Sequence, residues 1–162
     1  NLFRVRNVNP DARIWGLDWS LSSQKIIRKI VQDGIDHNIF THYFDFFNPD
    51  DSFILEENAI VFTSAAIEQV GTHYKKFIKY LLKQNISLCI HIEPIVELLD
   101  ENNLLDYLSI QYIKKRKYLY GYLDYLRQLE KKCQLKIQNA QRMYIGSLFI
   151  EGYSVIVWSP VK

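Results

Sequence analysis

Two acid–aromatic pairs carry residue types that can do chemistry. Asp18-Trp19, with Ser20 behind it, follows the apolar run 12–17, and Asp45-Phe46 follows the run 38–44. A carboxylate just past a buried strand can accept both hydrogen bonds of a ribose diol. Trp19 offers a flat face to an adenine, and Asp45 can accept from its exocyclic amine with Phe46 against the ring. Such pairs at two successive strand ends are what an adenosine pocket needs. Each piece also has a plainer use, because acids and hydroxyls after strands cap helices and Trp and Phe fill cores.

Further along, Thr63-Ser64 closes the run 59–62, and His91 and Glu93 lie at the end of the run 87–92. Alternation along a strand puts His91 and Glu93 on one face. Either can then serve as a general base toward a hydroxyl acceptor. A strand-end histidine is also often a hydrogen-bonded structural residue.

These residues need strands to present them. The runs 12–17, 38–44, 59–62 and 87–92 read as short strands, the third as one covered on both faces. Ser20 or Ser22 can cap a helix over 23–31, with Ile26, Ile27 and Ile30 inward and a stop at Gly34. A polar connection with a short helical turn covers 50–58. A second helix spans 74–84, with Phe77, Ile78, Leu81 and Leu82 at helical spacing. The stretch 96–132 is helical, with Leu104, Leu105, Tyr107 and Leu108 among its apolar faces and a break at Gly121. Strands over 136–144 and 152–158, joined by a tight connection, imply an antiparallel hairpin. Alternating strands and helices imply an α/β fold, a doubly wound, mostly parallel sheet with helices on both faces and the hairpin at its C-terminal end.

The 162 residues fit a single domain, and 48% hydrophobic against 23% charged residues marks a globular chain. A net charge of +2 is too small to argue for nucleic acid or an anionic membrane. No apolar run reaches the roughly 18 residues of a membrane span, so no membrane insertion is expected. Cys89 and Cys133 follow no metal-ligand spacing, which favours free thiols in a reducing, cytoplasmic setting and no metal. The opening NLFRVRNVNP lacks a methionine and reads as the tail of a helix followed by an Asn-Pro turn. The sequence is therefore expected to be N-terminally incomplete.

The stretches LDWS, YFDFFNPD, AIVFTSAAIEQV, LCIHIEPI and GYSVIVW, in that order, resemble the class I S-adenosylmethionine-dependent methyltransferases. More narrowly, they are similar to bacterial sugar or polysaccharide methyltransferases. The resemblance runs from about residue 1 to 159 and implies a Rossmann-like sheet whose last strand inserts antiparallel. It implies S-adenosyl-L-methionine as cofactor, with Asp18 on the ribose and Trp19 and Ser20 beside it. Asp45 and Phe46 take the adenine edge, and Thr63 and Ser64 lie near the methionine part. His91 and Glu93 point toward the acceptor, a saccharide or other small molecule. The family's glycine-rich loop has no counterpart, since no GxGxG occurs, and the missing N-terminal segment is where it is expected.

Methyl transfer is an in-line displacement, so alignment of acceptor and methyl group is the main task. The helical stretch 96–132 is placed to cap the acceptor, and its tyrosines (107, 112, 118, 120, 122, 125) can stack on a sugar or simply pack. Two other readings remain open. A nicotinamide-dependent dehydrogenase also uses an acid after its second strand, although the hairpin and the Asp45-Phe46 pair argue against it. A non-catalytic binding or assembly module is supported by the absent glycine loop. The sequence leaves self-association into a homo-oligomer open.

Overall fold

The computed structural model describes residues 1–147 and 150–161, and the side chains of 145–151 lie outside that description. The chain forms two compact units, Asn1–Asp50 and Asp51–Lys162.

In the first unit, helix α1 (Leu2–Val8) is followed by strand β1 (Ile14–Asp18), helix α2 (Leu21–Gln32) and strand β2 (Ile39–Tyr43). β1 and β2 pair in parallel, Ile14 opposite Ile39 and Asp18 opposite Tyr43, with α2 as the crossover. Ile14, Ile27 and Ile39 form the small core, with Leu2 and Ala12 packed against it. A Cβ at Gly16 would stand 2.4 Å from Ile27 Cδ1, so that side-chain end would have to shift to admit one. α2 begins two residues earlier than its periodicity suggests, with Ser20 as N-cap. Ile26 points outward at 62% exposure, and Gln24 takes the inward place. It does so because its Nε2 donates to the carbonyl of Asp18 (3.3 Å), which satisfies both groups. α2 stops where expected, with Gly34 just beyond it at φ +69°.

The second unit begins with an irregular segment whose turns at 51–52 and 57–58 replace the expected helical turn. Strand β3 (Ile60–Ser64) leads through a 3-10 turn (Ile67–Val70) to helix α3 (Lys75–Lys83) and strand β4 (Leu88–Pro94). A further 3-10 turn (Val96–Leu98), helices α4 (Leu104–Arg116) and α5 (Tyr122–Lys131), and strands β5 (Leu135–Ser147) and β6 (Ile150–Pro160) complete it. The sheet order is β3-β4-β6-β5. β3 and β4 are parallel, whereas β4–β6 and β5–β6 are antiparallel, so this sheet is mixed rather than mostly parallel. The hairpin forms as expected, both strands longer than the periodicity indicates, and its connection at 148–149 lies outside the described residues.

Alternation gives this sheet one dry face. Cys89, His91, Glu93, Ser154, Ile156 and Trp158 all lie there at 0% exposure. The opposite face of β3 is open, with Ile60 at 61% and Phe62 at 40% exposure, so the expected covering of both faces does not hold. The long helical stretch is broken at 117–121, where Lys117 and Gly121 both take left-handed conformations. α4 buries only part of its apolar surface. Leu104, Leu105, Tyr107 and Leu108 face outward, while Asp106, Ser109, Ile110 and Ile113 are buried. The cause is Asp106, which receives both terminal nitrogens of Arg142 (2.6 and 2.5 Å) and the N–H of Asp100 (2.9 Å). That buried pair fixes the face α4 turns inward.

Candidate functional site

Within the first unit, parallel pairing brings the two acid–aromatic pairs to the same end of β1 and β2. Asp18 is the last residue of β1, and its carbonyl accepts from Phe44 N–H (3.0 Å), so the chain leaves β2 tied to the end of β1. Asp18 Oδ1 accepts from Ser20 N–H (2.8 Å), and Asp45 Oδ1 accepts from Phe47 N–H (2.8 Å). Both are the same local device, an aspartate closing a turn on the amide two residues ahead. Asp36 does the same to Asn38 (2.7 Å). Arg6 also engages both oxygens of Asp36, whereas Asp18 and Asp45 each keep three of roughly four acceptor directions for a ligand. Ser20 caps α2 by position only, without a side-chain bond to the helix. Trp19 is 67% exposed, an uncommon place for a tryptophan with no ligand to cover. Phe46 is half-buried and meets Phe44 edge-on at 6.0 Å.

Within the second unit, the parallel register sets Thr63 opposite His91 and Ser64 opposite Ile92. Thr63 Oγ1 and His91 Nδ1 share a hydrogen bond of 2.9 Å. His91 lies between the rings of Trp158 (6.1 Å, stacked) and Tyr122 (5.7 Å, edge-on). Burial lowers its pKa to about 3, so the imidazole is neutral at any ordinary pH.

Glu93 is equally buried and differently held. Ala66 N–H donates to both carboxylate oxygens (3.1 and 3.1 Å), Ile67 N–H to Oε1 (3.2 Å) and Glu68 N–H to Oε2 (3.2 Å). Burial raises its pKa to about 7, against the opposing pull of those amides and the Thr63 hydroxyl. Four residues on, Glu97 Oε1 accepts from Leu123 N–H (3.1 Å) in the first turn of α5. Both acids of the EPIVE stretch thus reach across the fold to amides at helix starts, which have no partner within their own helix. Periodicity and spacing contain no sign of this, because the amides are distant in sequence. The Asp106–Arg142 pair escaped sequence reasoning for the same reason. Tyr122, expected as a candidate acceptor-lining residue, is fully buried, whereas Tyr107 and Tyr120 are exposed. Among the described residues no cluster of His, Cys, Asp or Glu is suited to a metal ion. No helix among them is long and apolar enough to cross a membrane.

No protein-family model matches the sequence, and no curated protein matches it either. Solved structures do share the fold. TnmH superposes with a TM-score of 0.67 at 15% identity, over 98% of this chain and 46% of that one. NcsB1, an O-methyltransferase from neocarzinostatin biosynthesis solved with S-adenosyl-L-homocysteine and 1,4-dihydroxy-2-naphthoic acid, gives 0.62 at 14% identity, over 98% and 45%. A pericyclic reaction enzyme gives 0.62 at 11% identity, over 98% and 39%. The chain therefore has the fold seen in S-adenosylmethionine-dependent methyltransferases and spans about half the length of these structures. That fold also serves other chemistry, so function has to be argued from the residues.

Proposed function

We propose that the chain is a single methyltransferase-like domain of Rossmann-like, doubly wound type. It binds S-adenosyl-L-methionine and transfers its methyl group to a hydroxyl of a small molecule, a saccharide being the acceptor the sequence resemblance favours. The observation that carries this reading is the pair Asp18 and Asp45 at one end of two parallel strands, each beside an aromatic and each with acceptor capacity to spare. Asp18 takes the ribose diol, with Trp19 and Ser20 beside it, and Asp45 with Phe46 takes the adenine edge. In the second unit, the sequence resemblance assigns Thr63 and Ser64 to the methionine part and His91 and Glu93 to the acceptor. NcsB1, solved with S-adenosyl-L-homocysteine and a hydroxylated naphthoic acid, supports both the cofactor and the small-molecule class of acceptor. The free thiols Cys89 and Cys133 support a cytoplasmic setting.

Transfer of a labelled methyl group from S-adenosylmethionine to saccharides, in parallel with hydroxylated aromatic acids, tests the reading. Label on a saccharide oxygen is the expected result. Label only on the aromatic acids overturns the saccharide assignment, and label on neither overturns the enzyme.

A second reading, a non-catalytic binding or assembly module, is favoured by one observation. His91 is neutral and enclosed, and both oxygens of Glu93 are engaged by backbone amides, which leaves neither ready to take an acceptor's proton.

A further inference from the structure

The turn that follows β3 is strained. Ala65 has φ +51°, in the left-handed region that costs a residue with a Cβ about 1 kcal/mol or more. Two contacts hold it there. Ala65 N–H donates to Ile92 O on β4 (3.0 Å), and the next three amides converge on the Glu93 carboxylate. Consecutive N–H groups pointing to one spot make a concavity for an anion. Here the anion is supplied by the neighbouring strand of the same chain.

We propose that Glu93 is a positioning residue whose buried carboxylate clamps the turn 64–68 and so sets the placement of Thr63 and Ser64. The link to cofactor binding rests on the reading above, which puts Thr63 and Ser64 on the methionine side. The clamp itself does not depend on that reading.

The chemistry is direct. A carboxylate accepts at both oxygens, while the amide of a glutamine accepts at one position and donates at the other. Ala66 and Glu68 both donate to Oε2, and Ala66 and Ile67 to Oε1, so a glutamine nitrogen at either place displaces two of these contacts. The titratable groups that face Glu93 come from four elements. Glu68 lies on the turn, with its pKa raised by burial, and His91 on β4 stays neutral. Tyr122 on α5 and Tyr153 on β6 are both pushed up by burial and remain uncharged. Glu93 itself is raised to about 7 because burial outweighs the amide bonds, so enclosure favours its protonated form.

Amide hydrogen exchange at 66–68, read as protection relative to unstructured peptide at the same pH, tests the clamp in the parent protein and in Glu93→Gln. Glu93→Gln should lose at least tenfold protection at these amides relative to the parent at pH 8.5, while amides of β1 and β2 hold theirs. Glu68→Gln should keep the parent's protection. Ala65→Gly added to Glu93→Gln should recover part of the loss by relieving the strain. Unchanged protection in a folded Glu93→Gln protein overturns the clamp. S-adenosylhomocysteine titrated into the same samples separates the two ideas. Its affinity should fall with protection. Lost protection with undiminished affinity overturns the link to the cofactor. Lost protection in Glu93→Gln, with no S-adenosylhomocysteine bound by the parent, overturns the cofactor reading and leaves the clamp standing.

Discussion

Two buried titratable groups on the same strand face pull the stability of the second unit in opposite directions as pH changes. His91 goes from an unfolded value of 6.5 to about 3 when folded. Its contribution is complete above pH 6.5 and is lost as pH falls toward 3, because the unfolded state binds the proton that the folded state refuses. Glu93 goes from 4.5 to about 7. For an acid raised on folding the sign reverses: its contribution is complete below pH 4.5 and is lost as pH rises through 7. Between pH 4.5 and 6.5 each group changes the unfolding free energy by about 1.4 kcal/mol per pH unit, with opposite sign. Their sum over that window is near zero. Glu93→Gln removes one of the two. The variant should then gain about 2.7 kcal/mol as pH rises from 4.5 to 6.5, two units at that slope. The parent should stay level from these two groups. Urea unfolding at half-unit pH intervals, with the extrapolated free energies compared at equal slope m, gives the measurement. A variant as flat as the parent would refute the reasoning, since it would mean that His91 is not held neutral or that Glu93 does not offset it.

Gly71→Ala should destabilise the protein by about 2–4 kcal/mol. Gly71 has φ +58°, and a Cβ there would stand 2.6 Å from the backbone oxygen of Lys117. Gly34→Ala, also at positive φ but with the nearest atom at 4.0 Å, should cost only about 1 kcal/mol by the same thermal or urea measurement. Arg142→Ala should cost about 3–5 kcal/mol, because it leaves the carboxylate of Asp106, at 1% exposure, buried without its cation. Burial alone would raise the pKa of Asp106, and the Arg142 bonds hold it below the usual range instead. The double variant Asp106→Leu with Arg142→Met should recover most of that loss, and failure to do so would show that the pair is not an isolated term.

Elements with local signals were legible in the sequence. The runs at 12–17, 38–44, 59–62 and 87–92 became β1 to β4, Gly34 ended α2, and Gly121 marked the break before α5. The expectations that failed were those decided by distant partners. Apolar residues lie on every side of α4, and the face that is buried carries Ile110 and Ile113 beside Asp106, whose partner Arg142 is 36 residues away. Ile26 yielded to Gln24 because a side-chain amide could bond the end of β1. Glu93 carried the mark of chemistry, a carboxylate at a strand end. Its engagement with amides 25 to 27 residues upstream was invisible without the fold. The side-chain carboxylates of Asp18 and Asp45 differ in this respect. Each accepts from the amide two residues ahead, a local arrangement that leaves room for a ligand.

Calorimetric titration of S-adenosylhomocysteine into the protein and its Asp18→Ala variant, with NAD titrated alongside, tests the cofactor assignment most directly. Binding in the parent that weakens tenfold or more in the variant, a loss of about 1.4 kcal/mol, is the result expected if Asp18 holds the ribose. Equal affinity in parent and variant, or binding of NAD in place of S-adenosylhomocysteine, would contradict it and leave Asp18 as the residue that closes the turn into α2.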